Sequence, residues 1–363
     1  MSFDVIIAGA GIIGSSIAWR LAQSGLHVAL LDAGRMGAEA SSAGAGMLAP
    51  GGEIDAQSPW HEFALESLRL YPAFVAGLAS ETGCPIDFQA LGAVELALSE
   101  DEWQVLQIRG CEQAPLGIPS FPLSAAELKK RVPAVGSPAA GALFYPHDAQ
   151  VDPRDLMHAL RAACRKRGVA IREGIRVTEI RPAHSSVEVV TAQGVLHAAA
   201  AVLAAGAWSS QISVPGLDPP RAYPVRGHLI GFRRGANSLG PILRHQHTYL
   251  VERAGGFLIA GTSSEHAAFD RGLDPAITAD IHARAARILP CLAGLTPDER
   301  WLGFRPAVVG DSPVVGRVSD QPLWLAYGHY RNGILLAPVT AQTVARQINA
   351  NSGTGSSALR GTP

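Results

Sequence analysis

Short, unbroken apolar runs and helically spaced apolar positions succeed each other from the start of the chain. Val5-Ile6-Ile7-Ala8 is the kind of run that a strand covered on both faces requires. Ile13, Ile17 and Leu21 then share one helix face, Gly25 ends that helix, and Val28-Ala29-Leu30-Leu31 is a second buried strand, so the pattern predicts a βαβ unit. A further helix is predicted over 59–79, with Ala64, Leu68, Tyr71, Val75 and Leu78 on one side. From Leu91 to Pro146 the pattern changes to one alternating strand, Ala93-Val94-Glu95-Leu96, followed by helices broken at Pro and Gly, which reads as an insertion belonging to another unit. Asp152-Pro153 opens a helix through Leu156, Leu160 and Cys164 that Gly168 closes. Short strands follow at 169–171, 176–180, 187–190 and 199–203, and the glycine-punctuated stretch 221–261 predicts an antiparallel sheet. The last third predicts a helix over 279–289, further strands, and a helix begun near Pro338.

A chain of 363 residues with 47% hydrophobic positions can bury a large core and is long for one ordinary domain. With 17% charged residues and a formal net charge of −1, nothing in the balance points to nucleic acid or to an anionic membrane surface. The longest basic run, Lys129-Lys130-Arg131, reads as a solvated helix end. Cys84, Cys111, Cys164 and Cys291 are too scattered for a disulfide framework or a zinc site, and a reducing, cytoplasmic setting is expected. The N-terminus carries no basic stretch or cleavage site, so no leader is expected, and no apolar stretch reaches the roughly 18 residues of a membrane span. The Ser/Gly/Thr-rich residues 351–363 are expected to be disordered.

Gly9-Ala10-Gly11-Ile12-Ile13-Gly14 fits G-x-G-x-x-G and lies between the first strand and its helix. Its glycines allow a tight turn, close approach of a pyrophosphate and close strand–helix packing, and the helix N-terminus favours the phosphate charge. Asp32 ends the second strand about 20 residues on, where a carboxylate can accept from a ribose. The small-residue loop Ser41-Ser42-Ala43-Gly44-Ala45-Gly46-Met47 can lie against a flat ring system, and Ala201–Trp208, an apolar strand ending in Ala-Gly, resembles a second nucleotide-contact strand. His245 and His247 would share a strand face, but without a third ligand no metal site is expected.

Three blocks give these features a family likeness: the 9–47 stretch, Tyr249 within His247-Thr248-Tyr249-Leu250-Val251, and Gly303-Phe304-Arg305-Pro306 followed by Gly328-His329-Tyr330-Arg331-Asn332-Gly333-Ile334-Leu335. The chain resembles the FAD-dependent D-amino-acid oxidase/sarcosine oxidase family, the glycine oxidases above all, from about Phe3 to Asn349. The resemblance implies an α/β fold: a split Rossmann-like FAD-binding domain (1–90, 141–215 and 300–350) with an inserted α+β substrate domain on an antiparallel sheet (91–140 and 216–299). It implies FAD contacts at Gly9, Gly11, Ile12, Ile13, Gly14, Asp32 and Ala33 in the first turn. It adds Ser41, Ser42, Ala45, Gly46 and Met47 in the loop, Val177 and Gly206, and the run His329, Tyr330, Arg331, Asn332, Gly333, Ile334 and Leu335. Tyr249, Arg305, Arg331 and Met47 would face the substrate. A guanidinium such as that of Arg305 can hold a carboxylate through two parallel bonds, and Tyr249 can donate to the same group.

The implied reaction is oxidative deamination of glycine or a similar small amino acid. Hydride passes from the α-carbon to flavin N5, the imine hydrolyses, and oxygen takes the electrons to give hydrogen peroxide. No protein base is required by that route, and none is assigned. The segments that carry a covalent attachment in some relatives hold no Cys or His here (303–316 and 41–47), so FAD is expected to be non-covalent. By analogy the enzyme would be a homo-oligomer serving thiamine thiazole synthesis. Three readings stay open beside this one: a dehydrogenase of the same fold that feeds a quinone or carrier, a hydroxy-acid oxidase, and a non-catalytic dinucleotide-binding module.

Overall fold

The structure, a computed structural model, describes residues 3–55, 58–136, 140–235, 239–310 and 312–355, with side chains to residue 351. Its first sheet has eight strands. Phe3–Ala8 lies at the centre, parallel to Val28–Asp32 on one side and to the end of Gly194–Leu203 on the other. Ala170–Glu173 extends one edge in parallel, and Leu323–Tyr327 runs parallel to Ala201–Leu203. The strands Val177–Pro182 and Val187–Thr191 complete an antiparallel meander with Gly194–Leu203. The helices Ile12–Gln23, His61–Thr82, Pro153–Lys166 and Gly333–Gly355 pack on one another and on the inward side chains Val5, Ile7, Val28 and Leu30. The unbroken apolar runs are therefore buried on two faces, as a parallel sheet demands.

The second sheet also has eight strands, all antiparallel neighbours except Ile242–His245 beside Ala93–Ala97. Ala222–Arg233 pairs with Glu299–Val308 and with Phe257–Gly261, which pairs in turn with Thr248–Glu252. A core of Ile230, Phe232, Leu250, Leu258 and Ile281 backs this sheet against the helix Pro275–Ile288. The fold class is as expected, α/β with an antiparallel second sheet. Gly141–Tyr145 and most of Glu299–Val308 fall in stretches expected to belong to the first unit, yet both hydrogen-bond into the second sheet. Their partners, Ala93–Ala97 and Ala222–Arg233, are distant in sequence, so pairing rather than local pattern decides their membership.

The final helix begins at Gly333, five residues before Pro338, and not near that proline as expected. Pro338 has no N–H to give Ile334, and the freed Ile334 carbonyl accepts from the Tyr71 hydroxyl at 2.7 Å, while Ser67 Oγ donates to Leu335 O at 2.6 Å. A side-chain substitute for the missing bond thus lets helix run through a proline. The same helix continues to Gly355 through part of the stretch expected to be disordered, and residues 356–363 lie outside the described ones. Lys129, Lys130 and Arg131 do form the last turn of a helix, Ala125–Arg131, opened by a Ser124/Glu127 capping box. The four cysteines are unpaired, and among the described residues no helix is long and apolar enough to cross a membrane.

Candidate active site

A cleft of about 490 Å³ runs from the glycine-rich turn, between the two sheets, to Tyr249 and Arg305. Gly9 has φ +109°, and a side chain there would overlap the Ala204 carbonyl, so the turn and the end of the 194–203 strand approach as only glycine allows. Ala10 N–H donates to Asp32 Oδ2 at 2.8 Å and Gly34 N–H to Oδ1 at 2.7 Å. Burial pushes the Asp32 carboxyl above its ordinary value, and these two bonds work against that shift. Ser41 Oγ accepts from Ile12 N–H at 2.8 Å, so this serine caps the first turn of the helix as well as facing the cleft.

Of the positions expected to contact FAD, Gly9, Gly11, Ile12, Ile13, Asp32, Ala33 and Ser41 line the cleft. So do Ala45, Gly46, Met47, Val177 and Gly206, and the run His329 through Ile334. Gly14, Ser42 and Leu335 are not on its wall. A side chain at Gly14 would overlap the Gly9 carbonyl, so this position packs helix on turn, and Leu335 faces the core. The cradle suits a long dinucleotide: a glycine turn at a helix N-terminus, a carboxylate beside it, and a second small-residue strand end opposite. Gly333–Leu335 form the first turn of the last helix, so the cleft also meets a helix N-terminus on its far wall.

At the other end of the cleft, the antiparallel sheet supplies the polar groups. Arg305 sits mid-strand opposite Val225, with its guanidinium over Gly227, where any side chain would overlap it. It donates to Thr262 Oγ1 at 2.6 Å and to Ser263 O at 3.1 Å. Burial pushes its pKa below the ordinary value, and no carboxylate among the described residues lies within 4.0 Å of it. Tyr249 is 6% exposed, packs over Gly261, and burial raises its hydroxyl above the usual range, so it remains a donor. Arg331 also reaches the cleft but is engaged: its Nε and Nη2 donate to Glu53 Oε1 at 3.1 and 2.9 Å. His329, fully enclosed, contacts Thr340 Oγ1 at 3.0 Å, and burial pushes it down to about 3, leaving a neutral ring. Tyr330 holds a left-handed backbone, φ +46°, at the turn into the last helix.

Several residues important to this geometry carry no signal in the sequence. Glu53 comes from a one-turn helix, Pro50–Glu53, and Thr262 from the end of a strand. Arg253 ties the loop in place by donating to Ala45 O at 2.5 Å and Val151 O at 3.1 Å. Their partners lie far away in sequence, and only the contact gives them a role. His245 and His247 do not share a face. Gln246 turns the chain with φ +52° between them, His245 Nε2 lies 3.1 Å from Glu102 Oε2, and His247 is exposed.

The pattern of the FAD dependent oxidoreductase family matches residues 4–347. The chain is 32% identical to a glycine oxidase of Bacillus licheniformis over 351 residues, which is 96% of this chain and 94% of that protein. It is 35% identical to the bifunctional protein ThiO/ThiG of Synechocystis over 357 residues, covering 95% of this chain and 51% of that protein. The crystal structure of glycine oxidase from Geobacillus kaustophilus matches with a TM-score of 0.90 at 32% identity, over 96% of this chain and 95% of that one.

Proposed function

From the premise that this chain belongs to the FAD dependent oxidoreductase family, we propose that it oxidises the carbon–nitrogen bond of glycine or a similarly small amino carboxylate. FAD, when bound, supplies the two-electron acceptor, and in this reading oxygen regenerates it with release of hydrogen peroxide. The observation that carries the reading is Arg305: a half-buried guanidinium facing a cleft, hydrogen-bonded only to neutral groups. A desolvated charge without a counterion is costly, and a substrate carboxylate would supply the missing partner.

In this reading Gly9, Gly11, Ile12 and Ile13 hold the pyrophosphate, Asp32 the ribose, and the 45–47 loop with the 329–334 turn holds the flavin. In this reading the attachment is non-covalent, since residues 303–316 hold no Cys and residues 41–47 no His. Arg305 takes the carboxylate through two bonds while Tyr249 donates to one of its oxygens. Two fixed contacts leave the amino acid little rotational freedom and hold its α-carbon toward the flavin, which is the contribution asked of the protein. Tyr249 stays protonated, and burial makes the neutral His329 ring a poor proton acceptor, so no side chain is assigned to accept a proton. We place the cofactor on the first sheet and the substrate on the second. A place in thiamine thiazole synthesis is supported by the likeness to the ThiO/ThiG protein. A homo-oligomer and a cytoplasmic setting are part of the same reading by analogy.

The test is oxygen uptake by the FAD-loaded protein on addition of glycine, then sarcosine, D-alanine and D-proline. Uptake matched by peroxide is expected. A yellow protein that consumes no oxygen with any of them, yet reduces an artificial acceptor, would make it a dehydrogenase.

A further inference from the structure

The substrate end of the cleft brings together two guanidinium groups and one carboxylate: Arg305, Arg331 and Glu53. They are treated unequally. Arg305 bonds only to the Thr262 hydroxyl and the Ser263 carbonyl. Arg331 is held by Glu53 through its Nε and Nη2, with side-chain exposures of 27% and 16% for the pair. Glu53 Oε1 takes both bonds, so this carboxylate fixes the direction of the Arg331 fork. The ion pair removes one of the two cations from use and leaves a net charge of +1 among these three side chains.

Glu53 itself is held from behind. Its one-turn helix is clamped by Asp148 Oδ1, which accepts from Gly51 N–H at 3.1 Å, and by Gln113 Nε2, which donates to Gly51 O at 3.1 Å and Ile54 O at 2.6 Å. Asp148 is in turn fixed by Arg244 at 2.8 Å. A rigid backing of this kind keeps the carboxylate from swinging away when a ligand enters.

We propose that Glu53 sets the substrate specificity of the site by neutralising Arg331, so that the enzyme accepts amines carrying one carboxylate and rejects those carrying two. The proposal rests on the reading of Arg305 as the carboxylate anchor. With Arg305, Arg331 and Glu53 in place, a single carboxylate brings the site to neutrality. A second carboxylate would find the Arg331 guanidinium occupied and would face the Glu53 charge in a partly desolvated space. Removing that charge while keeping its shape frees Arg331 to bind the second acid. The same residue that orders the cleft thereby excludes iminodiacetate-like compounds, through repulsion more than through size.

The experiment titrates the FAD-loaded wild-type protein with acetate and with malonate, non-oxidisable mono- and dicarboxylates, following the perturbation of the flavin absorption. It repeats both titrations with Glu53→Gln. Acetate is expected to bind the wild type at least tenfold more tightly than malonate. In Glu53→Gln the malonate-to-acetate affinity ratio should rise at least tenfold, and the kcat/KM ratio of iminodiacetate to glycine should rise with it. Adding Arg331→Met to Glu53→Gln should remove the gain. Wild-type protein that binds malonate as tightly as acetate overturns the proposal, whatever becomes of the variants, and so does a ratio unchanged by Glu53→Gln. If Glu53→Gln fails to hold FAD, Glu53→Ala replaces it in both titrations and is judged by the same change of ratio. Acetate that does not bind the wild type at all overturns the anchor reading itself, an outcome distinct from acetate binding without discrimination.

Discussion

Replacing Arg305 by methionine separates a residue kept for a ligand from one kept for the fold. In the free protein its guanidinium makes two bonds to neutral acceptors, at 2.6 and 3.1 Å, together worth about 3–6 kcal/mol because the donor is charged. Against them stands the desolvation of a half-buried cation with no counterion, an effective penalty of several kcal/mol. Thr262 Oγ1 keeps its other bonds, to His228 O and Ser263 O, at 3.1 and 3.2 Å. Arg305→Met is therefore expected to unfold in urea within about 1 kcal/mol of the wild type, or later. Acetate binding should behave in the opposite way: two charge-assisted bonds of about 1.5–3 kcal/mol each correspond to an affinity loss of roughly 10²- to 10⁴-fold. Arg331→Met is the control, because it strands the Glu53 carboxylate and should cost about 3 kcal/mol, the low end for a broken buried pair given its 27% exposure. The assay is urea unfolding together with acetate titration of the flavin spectrum. An Arg305→Met protein that loses 3 kcal/mol or more while binding acetate unchanged would refute the reasoning.

Further expectations follow from individual contacts. Asp32→Ala removes the acceptor of Ala10 N–H and Gly34 N–H along with the ribose partner; FAD affinity should fall at least tenfold by fluorescence of released flavin, and full retention on dilution would argue against the assignment. Tyr71→Phe leaves the Ile334 carbonyl unsatisfied beside Pro338 and should cost about 1–3 kcal/mol. In a Pro338→Ala background the new N–H takes over and the loss should shrink, which a double-mutant cycle in urea measures. His329 is held neutral, its pKa pushed from 6.5 to about 3 by burial. The unfolded chain therefore binds the extra proton between those values, so this residue costs no stability above pH 6.5 and progressively lowers it toward pH 3, by up to about 1.4 kcal/mol per pH unit. His329→Gln should flatten that part of the stability–pH curve, and an identical acid slope would contradict the burial argument.

The parts of this protein legible in its sequence are those made by neighbouring residues. The Gly9–Gly14 turn, its strand and helix, and the Asp152-Pro153 helix start are local patterns, and each appears within a few residues of its expected place. Arg305 and Tyr249 were legible through the wording of their blocks, and the structure brings both to one cleft. What escaped depends on long-range pairing. Nothing near Glu53 says that it meets a guanidinium 278 residues later, and nothing in Gly303-Phe304-Arg305-Pro306 says that this strand pairs with residues 222–231. The last helix starts at Gly333, before the expected Pro338, because Tyr71, from another helix, satisfies the carbonyl that this proline leaves open, where proline normally marks a helix beginning. His245 and His247 were expected on one face because the two-residue period of a strand was extended through Gln246, which turns instead.

The most direct measurement mixes the FAD-loaded protein with glycine in the absence of oxygen and follows the flavin absorption. The account predicts bleaching of the yellow form by glycine or another small amino carboxylate, with the rate at subsaturating substrate collapsing in Arg305→Met. A wild-type protein that stays fully oxidised with glycine, sarcosine, D-alanine and D-proline alike, while still binding acetate, would contradict the claim that this cleft oxidises small amino carboxylates.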